Sequence, residues 1–196
     1  MARPKSGSKL DIKVLIASAE LAFAEHGFRA ARLEDIARTA GISRPSLLYH
    51  FASKDELYEA VVDGIFADLG GSLRDSMTRS DTFEARLRDL TVGFTRFMAT
   101  RPAAASLLVR ELVAPDGPGR ARLVEHGAPL LDEIDAWVIA ERPQSPISVR
   151  AVLLHVVSDT LLRNAVGELQ QTFWRDVPGD AGLALVERLI LAQEKP

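Results

Sequence analysis

The sequence predicts an all-α protein in two parts, an N-terminal three-helix unit and a larger helical body. Three observations carry that reading. Apolar residues recur at helical spacing along most of the chain, and convincing strand alternation is absent. Clusters of Gly, Pro, Ser and Asp cut the chain into segments of helix length. Charge is split as well: residues 1–54 hold nine Lys/Arg against five acids, a net of +4, while the 196-residue chain carries −3, so residues 55–196 carry −7. A basic end on an acidic body points to a polyanion site at that end.

Each element follows in order. Ile12, Ile16, Ala19 and Phe23 form the stripe of a first helix, which Gly27 stops. A short second helix, Leu33 to Ala40, opens on Glu34 and Asp35, acids suited to the positive end of the helix dipole, and closes at Gly41. The third lies in AGISRPSLLYHF, residues 40–51. Its proline looks out of place until Ser43 is taken as N-cap. Pro45 is then the second helical residue, where the N–H has no intrahelical partner to lose. At about 100° per residue, Leu47, Leu48 and Phe51 fall on one side, and Pro45, Ser46, Tyr49 and His50 on the other. Ser53 caps a fourth helix, 54–70, with Leu57, Val61, Ile65 and Leu69 along one face. The first domain is 1–52, helix four is the connector, and the second domain is 53–196.

In the body, Phe83, Leu87, Leu90, Phe94 and Phe97 mark a helix that ends before Pro102, and residues 103–113 mark another. APDGPG is a loop. A longer helix follows over 120–141, with Pro129 placed to kink it. Residues 147–167 and 180–193 form two final helices, separated by WRDVPGD. Phe94, Phe97, Met98, Leu108, Trp137 and Phe173 either line a cavity between helices or serve as plain core. VRAVLLHVVSDTLLRNAVG has apolar residues on more than one face, among them Leu154, Val157 and Leu161, and ALVERLILAQ presents Leu185, Leu189 and Ile190. Such helices either pair with their copies as a four-helix dimer interface or are buried within one chain.

Several function classes drop out. Without cysteine there is no disulfide, no thiolate metal site and no Cys nucleophile. His26, His126 and His155 have no partner at metal-ligand spacing, so neither metal nor cofactor is expected. No phosphate-binding glycine loop, nucleophile elbow or HExxH is present, and no acid pair has a supporting constellation, so an enzyme is not expected. MARPKSGSKLDIK lacks the apolar core of a signal peptide, and no stretch reaches ~18 apolar residues. The expectation is a cytoplasmic protein with no membrane partner.

Spacing narrows the head further. Ala37, Gly41 and Leu47 stand where a helix-turn-helix needs a small residue for close helix approach, a glycine with φ > 0, and an apolar residue that buries the second helix on the first. The third helix would then enter the major groove, with the Tyr49 face toward base edges and Arg44 at its edge. HGFRAARLEDIARTAGISRPSLLYHFASKDELYEAV, residues 26–62, resembles the DNA-binding domain of the TetR family of transcriptional regulators, in Gly27–Phe28, LEDIA, AGIS, YHF and SKDEL.

That resemblance implies a homodimer whose C-terminal bodies bind a small molecule and alter the DNA-binding heads. It carries DNA contacts onto Ser43, Arg44, Pro45, Ser46, Tyr49 and His50, and a phosphate contact onto Lys54. Arg32 replaces the usual Ser/Thr cap of helix two and offers a cation to phosphate instead. Leu48 stands where the family often has a backbone-touching tyrosine. The resemblance also places an effector pocket among residues 83–165, where Phe94, Phe97, Met98, Leu108, Trp137 and His155 are the lining candidates. Arg110, Glu111 and Asp132 join His155 there as polar groups that could orient a ligand. The expected function is a repressor released from a pseudo-palindromic operator by a small, largely apolar molecule. The rival is a helical small-molecule carrier or interaction protein whose basic head binds a partner other than DNA.

Overall fold

The computed structural model describes residues 12–114, 116–143 and 147–191, and these residues are helical with no strand among them. The basic arm carrying Arg3, Lys5 and Lys9 lies outside the described residues. Ten α-helices run in chain order: α1 Ile12–Ala30, α2 Leu33–Thr39, α3 Arg44–His50, α4 Lys54–Arg79, α5 Phe83–Thr100, α6 Pro102–Val113, α7 Arg120–Glu141, α8 Val149–Ala165, α9 Gln170–Phe173 and α10 Ala181–Val186. Glu187–Leu191 continues α10 as a π-helical turn.

Local chemistry sets most boundaries. Ser43, Ser53, Thr82 and Ser148 each accept a hydrogen bond from the N–H three residues on, which caps α3, α4, α5 and α8. Glu56 accepts from the N–H of Ala52 at 2.7 Å, which closes the entry to α4 from the other side. Gly27 has φ 75° and ψ 164°, so α1 breaks there before a last turn reaches Ala30. Pro102 begins α6 at a position where no N–H is needed.

Two elements differ from the sequence reading, and helix α7 keeps its expected span. Helix α4 does not stop at residue 70 but runs through Gly70 and Gly71 to Arg79. Leu73 and Ser76 are buried where α4 packs along α5, and that packing outweighs the low helix propensity of two glycines. Helix α7 runs unbroken through Pro129. A 3-10 turn, Gly167–Leu169, and α9 occupy a stretch that carries no periodic apolar signal.

Helix α1 packs on α4 and α6, α4 on α5 and α7, and α8 on α6, α7 and α10. The buried side chains form one cluster, from Leu15 in the head to Ile190 near the end. Among the described residues no helix is long and apolar enough to cross a membrane.

Candidate nucleic-acid interface and cavity

The head is built around the turn between α2 and α3. Ile42 N–H donates to Ala37 carbonyl oxygen at 2.9 Å and Gly41 N–H to that of Arg38 at 3.1 Å, a Schellman closure of α2. It requires a left-handed residue, and Gly41 has φ 73°. Ala37 and Leu47 are buried at the α2–α3 contact, with Phe51 behind them. The seven residues of α3 are too few for a helix to stand alone, so its order comes from that contact and from its Ser43 cap.

The opposite side of α3 is open. Tyr49 is 86 % exposed and meets the His50 ring edge-on, with centroids 5.3 Å apart. Pro45 and Arg44 are exposed beside it, while Ser46 is half-buried and spends its N–H on the Ser43 cap. Arg44 Nε pairs with Glu34 of α2 at 2.9 Å, and Arg38 pairs with Asp35, so two acids of α2 offset part of the positive charge on this face. Arg32 is exposed at the start of α2 and makes no side-chain capping bond.

Lys54 has a role that the sequence did not disclose. Its Nζ donates to the carbonyls of Arg29 (3.2 Å) and Ala31 (3.1 Å) and sits 4.6 Å from the centre of the Phe28 ring. The cation thus meets the negative end of α1. One ammonium proton is left for a phosphate.

Behind the head lies a junction of buried groups. Phe23, Phe28 and Tyr58 pack edge to face or tilted within 6.1 Å of one another. The Tyr58 hydroxyl donates to Glu111 Oε1 at 2.6 Å, and Glu111 Oε2 accepts the Gly119 N–H at 3.0 Å. Burial, and then the Glu111 carboxylate, push the Tyr58 phenol well above its usual ionisation range. Arg110 donates to the Ala24 carbonyl of α1 at 3.3 Å. Arg101 pairs with Glu20 of α1 at 2.5 Å and with Asp68 of α4 at 2.8 Å. In the sequence, Arg110 and Glu111 look like candidates to orient a ligand, and Glu20 carries no assigned role. The structure uses all three to join head and body.

The body carries a partly open cavity of about 340 Å³. Helix α4 supplies Phe66 and Leu69, α5 Phe94 and Met98, α6 Leu108 and Leu112. Helices α7, α8 and α10 complete it. Of the expected lining residues, Phe94, Met98 and Leu108 face this space, whereas Phe97, Trp137 and His155 do not belong to its wall. Phe97 is half-buried with the Arg101 guanidinium 5.2 Å from its ring, Trp137 packs 5.1 Å from Phe83, and His155 is on the exposed side of α8. Phe173, another aromatic candidate, is 71 % exposed. Asp132 holds Arg150 at the rim of the cavity, 2.6 Å away.

The residues expected at a dimer interface divide. Leu154 is 44 % exposed, Val157 is half-buried, and Leu161 is buried inside its own chain; all three line the cavity. Leu161 therefore has no surface to offer a partner copy. Leu185 and Leu189 are half-buried against the core. The outward apolar residues of this end are instead Leu154 and Leu162 on α8, with Leu169, Phe173 and Val177 beyond it.

The profile of bacterial regulatory proteins of the tetR family matches residues 15–61, the segment that forms α2, α3 and the flanking parts of α1 and α4. Over that segment the chain is similar to TetR-family regulators. Two transcriptional regulators are similar to part of the chain. The transcriptional activator FasR of Mycolicibacterium smegmatis is 36 % identical over 86 residues, 44 % of this chain and 39 % of FasR. The transcriptional repressor KstR2 of Rhodococcus jostii is 34 % identical over 102 residues, 52 % of this chain and 48 % of KstR2. The chain thus spans less than half the length of the curated relatives it matches. The fold match extends further: FadR of Bacillus subtilis, solved in complex with stearoyl-CoA, superposes with a TM-score of 0.71 at 14 % identity, over 94 % of this chain and all of that one. The fold of that regulator therefore extends over nearly the whole chain, while the family profile covers residues 15–61 alone.

Proposed function

We propose that this protein is a homodimeric, ligand-responsive TetR-family regulator of transcription, a repressor that leaves a pseudo-palindromic operator when a small, largely apolar molecule fills its body. The observation that carries the reading is the open face of α3. A recognition helix fixed by its caps and by Leu47 presents Tyr49 and His50 outward, with Arg44 and Pro45 alongside. Arg32 and the remaining proton of Lys54 reach phosphates on either side. In the dimer, α8 and the chain end pair with their copies through the Leu154–Leu162 face, and two recognition helices roughly 34–36 Å apart enter successive major grooves. The cavity is the effector site, and an effector that favours a different head separation weakens DNA binding by population shift. Such a protein works in the cytoplasm, where operator and effector meet.

The test is selection of duplexes from a random pool by the full chain, followed by titration of the winners across salt. An enriched inverted repeat whose affinity falls steeply with salt is the expected result. A folded dimer that enriches no sequence, with or without small-molecule extract, overturns the reading and returns the head to a protein partner.

A further inference from the structure

The wall of the cavity carries almost no charge, and its few polar groups are specific about what they can meet. Among the described residues that line it, Thr91, Arg150 and Ser158 are the polar ones, and Arg150 alone is ionised. Thr91 is buried and its hydroxyl proton is committed to the Leu87 carbonyl at 2.8 Å, so it has only lone pairs left and accepts from a ligand donor. Arg150 is no free cation. Its Nη1 lies 2.6 Å from Asp132 and 3.7 Å from Asp135, while among the described residues its Nη2 and Nε have no hydrogen-bond or ion-pair partner. The rim therefore bears one positive charge against two negative ones, yet keeps N–H donors to offer.

A carboxylate or phosphate drawn into this space would lose its hydration and meet a guanidinium already shared by two carboxylates. A neutral hydroxyl or carbonyl loses far less; a hydroxyl matches either Thr91 or Arg150, and a carbonyl matches the Arg150 donors. On this basis, and resting on the reading of the cavity as the effector site, we infer that the effector is an uncharged apolar molecule bearing a hydroxyl or carbonyl group. Its polar end bonds to Arg150 at the rim or, as a hydroxyl, to Thr91 inside, and free fatty acids and other anions of equal apolar length bind more weakly.

The experiment uses the full wild-type chain and a neutral, environment-sensitive dye, Nile red, displaced at pH 8 by decanol, methyl decanoate or decanoate. The alcohol and the ester are expected to displace the dye at concentrations at least about tenfold lower than the ionised acid. Asp132→Asn, which removes one exposed rim charge, is expected to strengthen decanoate about threefold and leave decanol unchanged. Decanoate binding as tightly as decanol in the wild type overturns the inference while leaving the cavity an effector site. If dye and all three probes fail to bind, the cavity reading itself falls and takes the inference with it. The expected order in a chain that selects no operator supports the inference and places the failure in the head.

Discussion

The Tyr58 hydroxyl on α4 donates to the Glu111 carboxylate on α6 at 2.6 Å, and both side chains are buried. Each needs the other: a buried carboxylate without donors carries an uncompensated charge, and a buried phenol without an acceptor wastes its proton. The pair also has a pH signature. Burial and the neighbouring carboxylate raise the phenol's ionisation above its free value near 10. Below about pH 10 folded and unfolded chains both keep the proton, and the contribution is complete. Above it the unfolded chain loses a proton that the folded chain retains, so stability falls with rising pH. Urea unfolding between pH 9 and 11 should show a decline steeper in the wild type than in Tyr58→Phe, by up to about 1.4 kcal/mol per pH unit. Equal slopes would mean that the phenol does not titrate in this way. At pH 7 Tyr58→Phe should itself cost about 1–3 kcal/mol.

Lys54 should show two separable effects. Lys54→Met removes a cation from the carbonyls of Arg29 and Ala31, and is expected to cost about 1–2 kcal/mol in chemical denaturation. If its third proton also meets a phosphate, all DNA sequences weaken alike and the salt dependence drops by about one counterion. A stability loss with an unchanged salt slope would assign Lys54 to the fold alone.

Tyr49 predicts the reverse pattern. Because its ring is 86 % exposed, Tyr49→Ala should change stability by no more than about 0.5 kcal/mol. Its effect should appear instead in a repeated duplex selection, as relaxed preference at one position of each half-site. Unchanged preference and affinity would remove α3 from the DNA interface.

Gly27 is the most constrained backbone position in the head. With φ 75° and ψ 164° it occupies a region closed to side chains, and a Cβ there would also meet the Arg110 guanidinium at 3.3 Å. Gly27→Ala should therefore destabilise the protein by about 1–3 kcal/mol, read as a lowered urea midpoint. A neutral substitution would show that the α1 break can be made in another way.

Most of the head could be read from sequence because its constraints are local. The Ser43 cap, Pro45 in the first turn, the Gly41 closure and the Leu47–Phe51 face each lie within a few residues of what they act on. The cavity could not be read so well. Phe94 and Phe97 are three apart on one helix, and only the arrangement of α4, α6 and α8 turns the first toward the space and leaves the second under Arg101. Helix α8 is apolar on several sides, which hid that Leu154, Val157 and Leu161 line the cavity of their own chain. The second role of Lys54 was hidden for another reason: its carbonyl partners lie more than twenty residues upstream, and no spacing rule connects them.

The buried cluster that joins Leu15 to Ile190 has a practical consequence. With no seam in its interior, the protein should melt in a single cooperative transition, and the short recognition helix cannot be lost independently of the rest. Any molecule that settles in the body then raises the temperature at which the head itself denatures, by an amount that grows with the logarithm of its concentration over its dissociation constant. Thermal shift can therefore screen for the effector before any operator is known, and a chromophore placed on α3 would report occupancy of a space it never touches.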